Sequence, residues 1–264
     1  MTHNSPQELT QSKYKIFDEL KELLEDPKYA LTPRFALSCD AETLLGLKEL
    51  VSPERFVQTH LSETKREIQE TLSLYSKWPE FCDVDSYLEI YQKAGLIQKR
   101  CILGHCIHLT NQEWKILADT QAAIAHCPTS NAPQEEHGLG SGLFELERAR
   151  REGVRWALAS DIGAGPYLSM LDVMQSFLSQ HRSAGRFVSA KEALYRATIA
   201  GAHILEAYQL TGFKPGNSAS FIVFPSINSS DPEDCLEQLL VHSRDQFNDL
   251  SRAVCHAGRL EVFE

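Results

Sequence analysis

Short runs of nearly continuous apolar residues alternate with stretches of helical periodicity along the first two hundred residues. Continuous apolar runs are typical of parallel strands that are buried on both faces. Helix starts are predicted where Ser or Thr is followed three residues later by Glu, at Ser5–Glu8, Thr110–Glu113 and Ser189–Glu192. The five predicted strands are residues 29–37, 56–60, 101–105, 122–126 and 156–160.

This alternation predicts an α/β fold with right-handed βα units and a parallel sheet or barrel. The 264 residues are enough for a complete (β/α)8 barrel. However, only five strands are predicted before residue 165 and none reliably in the later helical part, so a partial TIM-like barrel over residues 1–210 is expected. A turn at Gly212, Pro215 and Gly216, a strand at 218–224 and a polar loop then predict a small C-terminal β-element and tail over residues 211–264.

Charge and composition limit the classes of binding partner and the cellular location that are expected. The net charge of −10 and the sequence pI near 5.5 repel phosphate backbones, which excludes nucleic acid as the expected partner. The sequence shows neither an apolar stretch long enough to span a membrane nor a signal peptide, and a cytoplasmic location is expected. The seven scattered cysteines never form a CxxC pair and are interpreted as reduced core thiols.

Polar side chains capable of chemistry lie at or just after the C-terminal ends of the predicted strands. His60 is followed by Glu63, and His105, His126 and Asp161 end or follow later strands. Barrel active sites form at that end of the strands. Imidazole and carboxylate groups are competent zinc ligands, and a second carboxylate can move protons. The pattern therefore indicates a candidate metal-dependent hydrolytic site.

Each of these residues also has a structural interpretation. A histidine at a strand end is more often a hydrogen-bonded structural residue than a ligand. Asp161 is also typical of a turn or helix cap before Gly163, and Glu63 of a first helical turn, where the helix dipole favours a carboxylate. Only the coincidence of several such residues on consecutive strands favours the metal site.

At these residues the chain resembles the guanine deaminase family of the amidohydrolase superfamily. Any one motif is weak evidence, whereas nine motifs in the family's order are specific. The matching segments are 1–9 (MTHNSPQEL), 32–39 (TPRFALSC), 59–63 (THLSE), 104–110 (GHCIHLT), 125–131 (AHCPTSN), 140–143 (GSGL), 160–165 (SDIGAG), 169–171 (SML) and 192–202 (EALYRATIAGA).

The resemblance implies an amidohydrolase-type barrel with one zinc ion per complete site. His60 and Asp161 would be zinc ligands, and Glu63 the acid and base beside them. His105 would lie near the attacking water, and with Glu63 and Asp161 it completes the expected catalytic set. The implied reaction is the hydrolytic removal of the C2 amino group of guanine, which gives xanthine and ammonia.

The same resemblance implies the contacts to a small-molecule purine substrate. Arg34 would donate to an acceptor on the ring and Phe35 would meet its face, beside His60 and Glu63. The structural interpretations are a surface ion pair for Arg34 and core packing for Phe35. His126 is interpreted as a structural or supporting residue, and His137 lies in an insertion (PQEEHG) that is unusual for the family.

The sequence departs from the family's pattern in its metal ligands. Amidohydrolases contribute two ligands from a His-x-His motif, but no two of the ten histidines here are separated by one residue. His60 and Asp161 alone are fewer than the three protein ligands of a typical catalytic zinc, so weak or absent zinc binding is expected without a separate N-terminal fragment. Asn217 and Ser220 also replace the usual Lys and Asp before the last strand.

Three hypotheses therefore remain open. The first is guanine deamination, with a homodimer or a separate N-terminal fragment as the expected protein partner. The second is a related amidohydrolase that acts on another aminopurine, an aminopyrimidine or a triazine. The third is a non-catalytic remnant or subunit that keeps part of the barrel but binds no metal.

Overall fold

The computed structural model describes residues 1–2, 6–7, 10, 12–26, 28–242 and 244–263. The chain divides into two compact units, of which the first comprises Met1–His126 and Phe144–Arg155. The second comprises Cys127–Leu143 and Trp156–Glu264. Both Ser5 and Glu8 of the first predicted helix start lie outside the described residues.

The first unit contains a parallel sheet of three strands, β1 (Val57–Leu61), β2 (Cys101–His105) and β3 (Ala123–His126). β2 lies between the other two and pairs in parallel with each. In this register His60 lies beside Gly104, which in turn lies beside Ala125. The strands predicted at 56–60, 101–105 and 122–126 are thus confirmed to within one residue.

The predicted strand at 29–37 is wrong as a regular strand. Leu31 alone forms an isolated parallel bridge with Val57, and residues Ala36–Ser38 turn into a 3-10 helix. Pro33 lacks the N–H that a strand would use in its ladder, which interrupts regular pairing. The segment instead runs along β1 with irregular hydrogen bonds, including one from the His60 amide to the Arg34 carbonyl (3.1 Å).

The helices of this unit begin largely where polar caps predict. The full capping box expected at Thr110–Glu113 is confirmed. The helices of the first unit are α1 (Lys13–Leu23), α2 (Ala41–Leu47), α3 (Lys65–Tyr75), α4 (Tyr87–Lys93), α5 (Asn111–Thr120) and α7 (Leu146–Arg151), with short 3-10 turns at Lys48–Leu50 and Pro79–Phe81.

The core of the first unit is rich in aromatic side chains. Tyr75 packs edge to face against Phe81 with ring centroids 5.0 Å apart, and Trp114 and Phe144 are likewise fully buried. Buried Glu113 joins two helices, because its carboxylate accepts from the amides of Thr110 (2.7 Å) and Leu88 (3.0 Å). The start of α5 is therefore tied to the start of α4.

The second unit contains the remaining elements. Ser189 caps α9 by accepting from the Glu192 amide (3.1 Å), as the sequence predicts. The elements are α6 (Pro128–Asn131), β4 (Arg155–Leu158, from Trp156 onward), α8 (Met170–Ser183), α9 (Ala190–Ala197), α10 (Ile199–Ile204), β5 (Phe221–Val223), α11 (Pro232–Leu240), α12 (Arg244–Leu250), β6 (Ala253–His256) and β7 (Arg259–Val262), with 3-10 turns at Gln134–Glu136 and Tyr208–Leu210.

The small C-terminal β-element is confirmed as an antiparallel sheet in the order β5-β6-β7. Residues 211–264 also contain two helices that the sequence pattern did not predict, α11 and α12. The boundary after residue 210 stays a prediction. Parallel strands alternating with helices, followed by this sheet, confirm the α/β class.

The seven cysteines, all within the described residues, form no disulfide. Five of them are buried, in agreement with their interpretation as core residues. Among the helices that the structure describes, none is both long and apolar enough to cross a membrane.

The Glu113 bridge gives a test of how α4 and α5 are held. We expect Glu113→Ala to lower the free energy of unfolding by about 3 kcal/mol, because the buried Leu88 amide loses its acceptor and α5 loses its cap. The matched control is Glu89→Ala, whose half-buried carboxylate, among the described residues, bonds the Asp85 and Ser86 amides at its own helix start and should cost about 1 kcal/mol. Urea unfolding of both variants measures the difference, and equal losses would contradict the bridge.

Candidate active site

His60 lies near the end of β1, where the Arg34 carbonyl orients its ring. The Arg34 carbonyl oxygen lies 2.6 Å from His60 Nδ1 and also accepts from the His60 amide (3.1 Å). A carbonyl oxygen can only accept, so Nδ1 carries the hydrogen and Nε2 keeps its lone pair. This is the arrangement of a metal-binding histidine, in which the hydrogen bond of one ring nitrogen sets the tautomer and orients the other.

His105 and Glu63 lie close to His60 in the same unit. The rings of His60 and His105 are 5.1 Å apart between centroids, and Glu63 Oε1 lies 3.4 Å from His105 Nδ1. The side chains of His105 and Glu63 are only 2% and 18% exposed. The structure therefore brings together three of the predicted site residues, two imidazoles and a carboxylate.

Glu63 is positioned by the capped start of α3. Thr64 caps this helix by accepting from the Glu67 amide (3.1 Å), and Glu67 Oε2 accepts from the Glu63 amide (2.8 Å). Burial raises the pKa of Glu67, while its bonds to the Glu63 and Thr64 amides oppose that rise. The capping box of Thr64 and Glu67 was missed in the sequence analysis, although its Thr-x-x-Glu spacing is visible there.

The two predicted purine contacts lie beside this cluster. The guanidinium carbon of Arg34 lies 4.5 Å from the centroid of the Phe35 ring, which in turn lies 6.0 Å from the His60 ring. Arg34 is exposed and Phe35 is half-buried. An accessible cation and an aromatic face next to His60 suit a planar, polar ring as a ligand.

The loops after β1 and β2 contain left-handed backbone at residues other than glycine. Ser62, His105 and Cys106 have φ values of +52°, +66° and +55°. The loops interlock, because the Cys106 amide donates to the Leu61 carbonyl (3.0 Å) and the Ile107 amide to the Ser62 carbonyl (3.1 Å). Such strained residues cluster at functional sites, and no residue type in this sequence signals them.

Asp161 belongs to the second unit, in the loop after β4. Its carbonyl accepts from the Gly165 amide (2.7 Å), and its φ of +49° is also left-handed. Its carboxylate oxygen Oδ2 is buried and has no hydrogen-bond partner among the described residues. A buried carboxylate oxygen is costly unless a cation or a proton accompanies it, so Asp161 fits the role of a metal ligand.

The other histidines near the motifs have structural surroundings. His126 is 2% exposed, and its ring stacks on Phe144 with centroids 4.5 Å apart, which supports a structural role. His108 is tied through its amide to the Ser62 carbonyl (3.1 Å), and His137 is exposed.

Two strand-end imidazoles with the Glu63 carboxylate beside them are groups typical of a metal-dependent hydrolase. The chain belongs to the Amidohydrolase family, whose sequence model matches residues 2–252. The guanine deaminase of Escherichia coli (strain K12) is 38% identical over 232 residues, which are 84% of this chain and 50% of that enzyme.

Solved structures agree with this assignment. An E. coli guanine deaminase structure has a TM-score of 0.85 at 34% identity and covers 98% of this chain and 61% of its own. A guanine deaminase from C. acetobutylicum with guanine bound in its active site has a TM-score of 0.81 at 28% identity. The match covers 99% of this chain and 63% of that one. The fold is therefore part of the amidohydrolase barrel, and the chain spans about half the length of its curated relatives.

The strain at Ser62 can be measured directly. Ser62→Gly should be more stable than Ser62→Ala by roughly 1 kcal/mol, because glycine adopts a positive φ without the cost of about 1–2 kcal/mol paid by other residues, less its greater chain entropy. Both variants remove the buried hydroxyl, so their difference isolates the backbone term. Thermal melts provide the measurement, and an alanine variant at least as stable as the glycine variant would contradict the prediction.

Proposed function

We propose that this chain carries the catalytic residues of a guanine deaminase, which hydrolyses guanine to xanthine and ammonia. The observation that carries the proposal is the cluster of His60, Glu63 and His105 beside Arg34 and Phe35. The similarity to guanine deaminases over 84% of the chain supports guanine as the substrate. This chain spans half the length of that relative, so guanine deamination by the whole protein is likewise a proposal.

His60 and Asp161 would hold a zinc ion, and the imidazole and carboxylate donors suit that metal. Their roles are supported by the tautomer of His60 and by the buried, unpartnered Oδ2 of Asp161 within the part of the chain that the structure describes. When bound, zinc supplies the Lewis acidity that makes water a nucleophile near neutral pH.

The chain's own groups would move the protons. Water adds to C2 of guanine, and the Glu63 carboxylate accepts the water's proton and delivers it to a ring nitrogen. The bond from C2 to the exocyclic amino nitrogen then breaks, as Asp161 accepts the remaining proton of the added hydroxyl and passes it to the amine, which leaves as ammonia while the carbonyl of xanthine forms. His105, 3.4 Å from the Glu63 carboxylate, would orient that carboxylate and support the attacking oxygen.

Arg34 and Phe35 would bind the purine. The guanidinium donates hydrogen bonds to the acceptor edge of guanine, which presents a carbonyl and a ring nitrogen, while the Phe35 ring packs against the purine face. Arg34 would therefore select guanine over adenine, because adenine presents an amino group where guanine presents the carbonyl. A cytoplasmic location and a homodimeric or fragment partner also remain proposals.

Turnover of guanine with a matched pair of variants tests the function. Two protein ligands are expected to bind zinc weakly, so the purified chain is assayed in excess zinc, where it should release ammonia and form xanthine. Glu63→Gln should lower kcat by about 10²–10⁴-fold, because the variant has no carboxylate to move the proton. Glu70→Gln is the control, since Glu70 lies on exposed α3 surface and pairs only with Arg66 in the contacts described.

Ammonia release from guanine, adenine, cytosine and a triazine is measured in parallel. Faster release from one of the other three would replace guanine deamination by the related amidohydrolase activity. Absence of release from all four substrates, or an E63Q variant as active as E70Q, would reject the proposed function.

Metal removal tests the ligands separately from turnover. Dialysis against a chelator should abolish activity, and zinc should restore it, because water activation depends on the ion. His60→Ala should weaken zinc binding by more than about 100-fold, since losing a supporting residue alone costs 10–100-fold. Exposed His137→Ala is the control, and calorimetric titration of both apoproteins measures the affinity. Equal zinc affinities would remove His60 from the ligand set.

A further inference from the structure

Tyr91 on α4 is a fully buried tyrosine whose hydroxyl contacts the two segments that carry the candidate site. Its oxygen lies 2.9 Å from the Ala36 amide nitrogen and 2.9 Å from the His60 carbonyl oxygen. The Thr59 hydroxyl lies 3.0 Å away and the Tyr87 hydroxyl 3.3 Å away. One phenol oxygen thus joins the segment after Phe35 to the end of β1.

The direction of these hydrogen bonds follows from the groups involved. The Ala36 amide can only donate and the His60 carbonyl can only accept, so the Tyr91 hydroxyl accepts from the former and donates to the latter. A tyrosine hydroxyl is protonated at neutral pH, so it has the proton that this donation requires. The hydroxyl is therefore a neutral, fully satisfied link between two backbones.

A second link between the same segments lies at Arg34. Its carbonyl accepts from the His60 amide (3.1 Å) and from His60 Nδ1 (2.6 Å), and the Thr59 hydroxyl lies 3.3 Å away. The bond to Nδ1 orients the His60 ring, while the Arg34 and Phe35 side chains leave the same short stretch of backbone. The position of this stretch along β1 therefore controls both the His60 imidazole and the purine contacts.

We propose that Tyr91 is a positioning residue that holds residues 34–36 in register against β1 and thereby aligns His60 with Arg34 and Phe35. This inference rests on the proposed function for its catalytic meaning. Tyr91 itself acts through His60 and the 34–36 backbone rather than by touching the substrate. Its loss allows the segment to slide, which misplaces the ligand nitrogen and the purine contacts together.

Two neighbouring tyrosines distinguish this role from general packing. Tyr87, also fully buried on α4, places its hydroxyl 3.2 Å from the Ala36 amide but makes no described bond to His60. Tyr75 donates to the carbonyls of Ala36 (3.2 Å) and Cys39 (2.7 Å), again without His60. Tyr91 alone among the three bonds both segments, which makes Tyr87→Phe the matched control for Tyr91→Phe.

The test compares Y91F with Y87F in measurements that do not require turnover. In the apoprotein, the His60 amide should exchange its hydrogen about 10-fold faster in Y91F than in wild type, since the segment that holds its acceptor loses an anchor. Zinc affinity should fall about 10-fold in Y91F, as for other residues that orient a ligand, and stay within about threefold in Y87F. Both variants keep the aromatic ring, so thermal melts should show small and similar losses.

Guanine kinetics supply the catalytic readout. Y91F should raise KM and lower kcat together, with kcat/KM about 10-fold or more below wild type, because small misplacements near reacting groups are costly. Equal exchange rates and equal zinc affinities in Y91F and Y87F would overturn the proposal. If the wild-type chain does not deaminate guanine, the proposed function fails, while the exchange and zinc comparison still decides the role of Tyr91.

Discussion

The hydrogen bond from His60 Nδ1 to the Arg34 carbonyl is the contact on which the candidate site depends. At 2.6 Å it sets the histidine tautomer and leaves Nε2 as the ring's acceptor. It also couples the metal-ligand candidate to the residue that would bind the purine, because the same Arg34 supplies both the carbonyl and the guanidinium. A change in the backbone at residue 34 therefore affects both parts of the site at once.

The parallel sheet explains why this contact lies where chemistry is possible. Parallel pairing places His60 beside Gly104, so His105 follows at the next position of the neighbouring strand. A Cβ at position 104 would lie 3.9 Å from His60 Cγ, so any side chain longer than alanine would need space beside the imidazole. The small neighbour and the left-handed turn at His105 together allow the two rings to approach to 5.1 Å.

Much of this arrangement could be predicted from the sequence, for identifiable physical reasons. Runs rich in apolar residues marked β1, β2 and β3, because their buried positions leave little choice of residue. The Thr110 capping box marked α5 because its bonds are local. The strand predicted at 29–37 was wrong because the hydrogen bonds of this segment to β1 are irregular and non-local. The apolar content of a segment does not distinguish such bonds from a regular strand ladder. The roles of Tyr91 and of the strained Ser62 depend likewise on distant partners, so local patterns did not reveal them.

Candidate site residues in each of the two units have features that oppose stability. Ser62, His105, Cys106 and Asp161 all adopt left-handed backbone, at a cost of about 1–2 kcal/mol per residue in unconstrained chains. Asp161 additionally buries a carboxylate oxygen without a described partner. Backbone hydrogen bonds, such as that from the Cys106 amide to the Leu61 carbonyl, hold left-handed residues in place. They do not offset the free-energy cost of burying the Asp161 carboxylate oxygen. A cation at Asp161 would offset that cost, so the same feature that weakens the isolated fold favours metal binding.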